Sequence, residues 1–261
     1  MKPKLMGIVN VTPDSFSDGG RYLDAGAAIA HGEELVRDGA DVLDVGGEST
    51  RPGAEPVDAG EELRRVLPVV EGLASGATVS IDTSKAAVAA AAIDVGASIV
   101  NDVTALQGDP EMASLCAERG VGVVLMHMPG SPRTMQDDPR YEDVVDDVKA
   151  FLAERLEFAV SQGVDEERIW LDPGIGFGKT LEHNLELLRR LGELRGLGRP
   201  LVIGTSRKSF IGGIDGSGVE DRLGGTIASS VLAAAEGADV LRVHDVAEMG
   251  QAVRVAEAVL G

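Results

Sequence analysis

DGADVLDV, residues 38–45, decides how this chain is read: a glycine closes whatever precedes it, and a β-branched apolar run begins at once. The same punctuation returns in VGASIVND (95–102), RGVGVVLM (119–126) and EGADVLRV (236–243). Glycine accepts the left-handed backbone that ends a helix, so each of these marks a helix-to-strand turn. Working outward, strands are expected at Leu5–Val9, Val42–Val45, Thr78–Ile81, Ser98–Val100, Gly122–Met126, Ile169–Leu171, Leu201–Ile203 and Val240–Val243. Helical periodicity fills the intervals near Ala25–Arg37, Ala59–Glu71, Lys85–Asp94, Pro110–Glu118, Val144–Ser161, Leu181–Leu194, Arg222–Ala235 and Val246–Val259. Continuously apolar strands alternating with helices require a parallel sheet covered on its outside. Eight such units close into an α/β fold, the (β/α)8 TIM barrel, as a single domain over residues 1–261. An open doubly wound sheet is the alternative.

Bulk properties agree with one large core. The chain has 261 residues, 44% of them hydrophobic, and no Pro/Ser-rich linker divides it. No run of about 18 apolar residues and no cleavable leader pattern occurs, so a cytoplasmic location is expected. Cys116, the only cysteine, lies in a helical pattern and reads as a small buried hydrophobe, which leaves neither a disulfide nor a cysteine-built metal site. The net charge of -19 disfavours nucleic acid, and the six lysines are few beside 43 acids, a composition compatible with high salt. A local cluster of cations in a cleft still admits a small anion.

The residues at the C-terminal end of each strand carry the functional signal. The strands end in Asn10, in Asp44 and then Glu48, in Asp82, in Asn101 and Asp102, in Asp172, in Ser206 to Ser209, and in Arg242 and His244. In a barrel these positions share one rim, the face where barrel enzymes keep their chemistry. Strand ends are polar in any protein, but lysine and glutamate, the usual solvated residues, are nearly absent from these positions. The segment LVIGTSRKSFIG (201–212) delivers Lys208 to that rim, and Ser209 reads as the N-cap of a following helix. Two loops are long. Asn10–Gly20 carries Phe16, either a lid stacking on a flat substrate or a loop anchor; Gly46–Pro56 carries Thr50, Arg51 and Pro52, with Arg51 an anion receptor.

Several motifs fail. PGIGFGKT (173–180) has proline where a phosphate-binding loop needs its first glycine, and HExxH, CxxC and GxSxG are absent. His31 and His183 read as solvent-facing; His127, after the fifth strand, is open to either reading.

Convergence of Asp82, Asn101, Asp172 and Lys208 would suit a fused 2-amino-4-oxo heterocycle such as a pterin: the carboxylates accept paired N–H groups, the amide donates and accepts, and the ammonium donates. Arg242 and His244, two apart on one strand, point to one side and suit a phosphate or diphosphate, while Asn10 suits Mg²⁺. MGIVNVTPDSFSDGG, DVGGESTRPGA, SIDT, VNDV, LDPGIGFGK, GTSRKSFIG and RVHDV stand in this order from Met6 to Val246. With these motifs the chain resembles the dihydropteroate synthase family of pterin-binding barrels.

The resemblance implies condensation of 6-hydroxymethyl-7,8-dihydropterin diphosphate with p-aminobenzoate to 7,8-dihydropteroate, with Mg²⁺, in a homodimer that sulfonamides inhibit. It implies that Asp82, Asn101, Asp172 and Lys208 hold the pterin, with Val103, Met126 and Phe177 around its ring and Arg242 stacked on it. Asn10, Thr50, Arg242 and His244 would serve the diphosphate and, through Asn10, its metal. Phe16, Thr50, Arg51, Pro52, Lys208 and Ser209 would receive p-aminobenzoate, and Asp82, Asp18 and Lys208 would be catalytic. Pterin-dependent methyl transfer on a similar barrel, and a binding-only relative, are the competing readings.

Overall fold

A computed structural model describes residues 2–12, 21–50 and 53–260, with side chains from residue 25 onward in the first helix. The strands are β1 (Lys4–Asn10), β2 (Val42–Gly46), β3 (Val79–Asp82), β4 (Ile99–Asp102), β5 (Gly122–Met126), β6 (Ile169–Asp172), β7 (Val202–Ile203) and β8 (Val240–Val243). Among the described residues the helices are α1 (Arg21–Arg37), α2 (Ala59–Ala74), α3 (Ala86–Asp94), α4 (Met112–Arg119), α5 (Val144–Ser161), α6 (Leu181–Arg189), α7 (Ser209–Asp215), α8 (Leu223–Ala235) and α9 (Val246–Leu260). All ladders are parallel, in the order β6-β5-β4-β3-β2-β1-β8-β7, and a parallel bridge between Leu171 and Leu201 joins the two ends. The sheet is therefore a closed eight-stranded barrel, as the alternating pattern requires. No helix among the described residues is long and apolar enough to cross a membrane.

Side chains alternate along a strand, and this divides each strand between two cores. Outward positions such as Leu5, Val9, Leu43, Val45, Ile81 and Leu171 pack beneath the helices in the main apolar cluster. Inward, Met6, Val42, Ile99, Val124, Val202 and Val240 form a separate plug with Trp170 against it. One inward step further along the same strands the residues are Ile8, Asp44, Asn101, Met126, Gly204 and Arg242, with Asp172 two beyond Trp170. The barrel interior thus changes from hydrocarbon to charge within a single layer, toward the strands' C-terminal ends.

The expected strands all form, with ends displaced by at most two residues. β1, β3, β4 and β6 run one or two residues further than hydropathy predicts, because Asn10, Asp82, Asp102 and Asp172 keep their backbones in the ladder. Ladder hydrogen bonds use main-chain groups and are indifferent to a polar side chain. The helix expected over Leu181–Leu194 stops at Arg189, and Leu191–Leu197 continues as a tighter 3-10 turn. Gly192 and Gly196 weaken the longer helix there, and Arg190 is drawn out to Asp143 (2.7 Å) and Glu193 (2.8 Å). Ser209 is not the N-cap of α7: Lys208 holds that position in an extended conformation and Ser209 is the first helical residue.

Leu171 is fully buried where β6 meets the chain entering β7. Leu171→Ala is expected to cost about 2–5 kcal/mol, read as a lower urea midpoint in equilibrium denaturation.

Candidate active site

The charged layer is organised by Arg242 of β8. Its Nε donates to Asp44 Oδ2 at 2.6 Å and its second terminal nitrogen to Asp82 Oδ2 at 2.7 Å. Asn101 of β4 donates its Nδ2 to the same Asp44 oxygen at 3.0 Å. Four strands, β2, β3, β4 and β8, thereby meet through one guanidinium and one amide. Asp44 is fully buried and its Oδ1 lacks a hydrogen-bond partner, so the layer carries an unsatisfied acceptor in its middle.

Asp172, at the end of β6, accepts from the backbone N–H of Gly174 at 2.7 Å. Lys208 approaches from the β7 side, donating to the backbone carbonyl of Ile175 and placing its ammonium 4.0 Å from the centre of the Phe177 ring. The PGIGFGK turn is what permits this approach. A Cβ at Gly176, whose φ is +82°, would lie 2.6 Å from Lys208 Cδ; one at Gly174, φ +68°, would lie 2.0 Å from the His127 carbonyl oxygen. These glycines serve close chain packing beside a half-buried lysine. Phe177 closes the wall with Val103, Met126, Met128 and Met135, an apolar cluster beside the charged layer.

Burial sets the protonation chemistry. Asp82 is raised to about 7, first by desolvation and then by the neighbouring Asp44, against the lowering pull of Arg242. Desolvation likewise raises Asp172, offset by Lys208. Lys208 is lowered to about 7 by burial, with Asp172 and Asp82 opposing and Arg242 reinforcing. Arg242 stays charged: desolvation works against it, and Asp44 and Asp82 hold its pKa above the ordinary value. An acid, Asp82, and a lysine, Lys208, are thus poised near neutrality around a permanent cation, with Asp172 raised beside them.

Asp82, Asn101, Asp172, Lys208 and Arg242 come together on one rim, with Val103, Met126 and Phe177 beside them. His244 lies two residues beyond Arg242, its Nδ1 2.9 Å from Ser206 Oγ. Asn10 ends β1 opposite Gly46, and Thr50 is half-buried on the loop after β2. Arg207 turns away from the cluster to Asp245, at 2.6 Å. Phe16, Asp18, Arg51 and Pro52 lie outside the described residues. Ser209 is exposed on α7.

Several members were not assigned from the sequence. Asp44 has no expected role, although an acid in the buried run VLDVG, two positions from Val42, was a readable inward charge. His127 proves buried, with Nδ1 2.9 Å from the Nζ of buried Lys179, which also donates to the Phe177 carbonyl at 2.9 Å. Burial depresses both: the Lys179 charge takes His127 further down, to about 3, and Lys208 pushes Lys179 down against the opposing pull of Asp172. His183, expected to face solvent, instead caps α6 with Thr180 and packs edge-on against Tyr141.

The model of the family described as pterin binding enzyme matches residues 6–244. The dihydropteroate synthase of Escherichia coli strain K12 is 48% identical over 260 residues, covering 99% of this chain and 92% of its own length. A Xanthomonas albilineans dihydropteroate synthase solved with 4-aminobenzoic acid has a TM-score of 0.94 at 49% identity, covering 100% of this chain and 94% of that one. Another from Xanthomonas albilineans, in complex with 7,8-dihydropteroate, has a TM-score of 0.91 at 46% identity over 100% and 94% of the two chains. A closed parallel barrel with a charged inner rim, matched over nearly its whole length, defines a pterin-binding enzyme. The chain belongs to that family, and within it to the dihydropteroate synthases, which are transferases.

The Asp82 shift has a thermodynamic signature. Its folded pKa, about 7, exceeds the 3.8 of a free aspartate, so folding takes up a proton between those values. Its contribution therefore stabilises the fold as pH falls from 7 toward 4 and is lost as pH rises through 7. The difference in melting temperature between the ligand-free protein and Asp82→Asn is expected to follow this sign across pH 4–8.

Proposed function

We propose that the chain condenses 6-hydroxymethyl-7,8-dihydropterin diphosphate with p-aminobenzoate, giving 7,8-dihydropteroate and diphosphate, by a dissociative substitution at the pterin methylene. The observation that carries this reading is the set of buried Asp82, Asn101 and Asp172 with half-buried Lys208 on one rim, flanked by Arg242 on one side and the Phe177, Met126 and Val103 wall on the other. Carboxylates at Asp82 and Asp172 accept the paired N–H groups of an amino-pyrimidinone edge, Asn101 both donates and accepts, and Lys208 donates to a ring carbonyl or nitrogen. Arg242 stacks on the flat ring once the heterocycle competes for Asp82.

Asn10, Thr50, Arg242 and His244 surround the diphosphate. Its departure breaks the methylene carbon–oxygen bond with both electrons going to the leaving oxygen, and the Arg242 guanidinium on β8, with the His244 ring just beyond the strand, stabilises the charge that develops there. The resulting carbocation is stabilised by Asp82 and, from the first loop, by Asp18. The aromatic amine, received by Phe16, Thr50, Arg51, Pro52, Lys208 and Ser209, then forms the carbon–nitrogen bond and loses a proton.

The donor set fits Mg²⁺ in a particular way. Among the described residues no group of three His, Cys, Asp or Glu could hold a metal by itself. The Asn10 amide is a single hard oxygen donor, which suits an ion that keeps waters and takes phosphate oxygens from its ligand. Asn10 would hold it, and when bound it would neutralise charge on the departing diphosphate. A cytoplasmic location and a homodimer belong to the same proposal, checked by cell fractionation and by light scattering.

Incubating the protein with the pterin diphosphate, p-aminobenzoate and Mg²⁺ is expected to release diphosphate only when the amine is present. Release without amine, or methyl transfer instead, overturns the reading. Asp172→Asn should lower kcat/KM about 10- to 150-fold, the worth of a charge-assisted hydrogen bond. Asp82 is active as the carboxylate and Lys208 as the ammonium, so kcat/KM should rise with pH through the first, fall through the second and peak near 7. In Asp82→Asn the acid limb should vanish from the pH profile.

A further inference from the structure

A second buried charge cluster lies behind the rim and takes no part in the chemistry above. Lys85, the residue before α3, donates to Glu48 of the loop after β2 and to Glu62 of α2, the latter at 2.6 Å. Glu62 is fully buried, and its Oε1 has no hydrogen-bond partner. Lys85 itself is half-buried; burial works against its charge, yet the bonds to the two glutamates hold its pKa above the ordinary value. A buried ion pair usually gives less stability than well-packed hydrocarbon would, so three charges here point to a geometric task.

Their geometry names that task. The other oxygen of Glu48, Oε1, accepts from the backbone N–H of Val57 at 3.3 Å, so one glutamate spans both ends of residues 48–57. The residue before it is fixed twice. The Gly47 carbonyl accepts from Arg65 of α2 at 2.8 Å, and a Cβ at Gly47 would lie 2.7 Å from Val66. Lys85 also ties this span to the rim, because its own N–H donates to Thr83 Oγ1 at 3.2 Å and Thr83 follows Asp82 directly. Thr50 lies within the span so held.

We propose that Lys85, acting through Glu48 and Glu62, is a positioning residue that pre-organises residues 48–50 and 53–57 for the arrival of the aromatic amine substrate. It touches neither substrate nor reacting atoms. The proposal rests on the function read above, since that reading assigns the amine's carboxylate-bearing ring to this loop. Holding a receiving loop in its bound shape lowers the ordering cost of binding, so the effect falls mainly on the second substrate and reaches the pterin diphosphate only through Thr50.

The test uses the full chain. Lys85→Met leaves two carboxylates uncompensated and risks unfolding, so Glu48→Gln and the double variant Lys85→Met/Glu62→Gln accompany it, with Lys85→Arg as the conservative control. In variants that melt like the parent, KM for p-aminobenzoate is expected to rise about tenfold or more, KM for the pterin diphosphate to rise by no more than about threefold through Thr50, and Lys85→Arg to recover most of the loss. Amide hydrogen exchange at residues 47–50 and 53–57 should quicken in the same variants while the barrel strands keep their protection. An unchanged KM for the amine in folded variants, or equal rises in both KM values, overturns the proposal. If the parent itself makes no dihydropteroate, the function reading fails, and exchange then judges the positioning: faster exchange confined to this span sustains it, unchanged exchange ends it.

Discussion

Everything at the open end of this barrel depends on Arg242 being shared. A single guanidinium, 2.6 Å from Asp44 and 2.7 Å from Asp82, must compensate carboxylates presented by two other strands in a layer from which water is largely excluded. It is the group in that layer that stays charged whatever the pH, because a guanidinium does not give up its proton in the range where Asp82 and Lys208 do. Remove it, and Asp44 and Asp82 face each other with nothing between them but the Asn101 amide.

The arrangement is costly by design of the sequence, not by accident of packing. The plug of Met6, Val42, Ile99, Val124, Val202 and Val240 shows what this barrel does where only stability matters. One inward position later three of these strands carry an acid, an amide and an arginine, and β6 adds Asp172 beyond Trp170. The orphaned oxygen of Asp44 and the displaced pKa values of Asp82, Asp172 and Lys208 are the mark of a layer selected for what it binds, with the apolar plug and the outer helical shell supplying the stability it lacks.

Much of this was legible in the sequence because strand and glycine punctuation are local signals. Gly39, Gly96, Gly120 and Gly237 all have positive φ where the helix-to-strand turns were expected, and the rim residues Asp82, Asn101, Asp172 and Arg242 follow from knowing where each strand ends. What was not legible is pairing at a distance. Lys85 meets Glu48 and Glu62 from 37 and 23 residues away, and Lys179 meets His127 from 52 away, with no spacing rule to announce either. The end of α6 was missed for a related reason: the glycines at 192 and 196 weaken the helix only slightly, and it is Asp143, on another element, that draws Arg190 away. Ser209 was misplaced by one residue because the cap depended on where Lys208 had to reach.

The hoop of strands is unevenly fastened. β1 and β2 are paired over five residues, whereas β7 contributes two and meets β6 through the lone Leu171–Leu201 bridge. That clasp sits between the strand that ends in Asp172 and the one that leads to Lys208, so the two partners of opposite charge ride on the part of the ring with the least backbone stitching. A shift of backbone between Asp172 and Lys208 therefore has fewer ladder hydrogen bonds to break than one in the well-laced half, where Asp44, Asp82 and Arg242 are set.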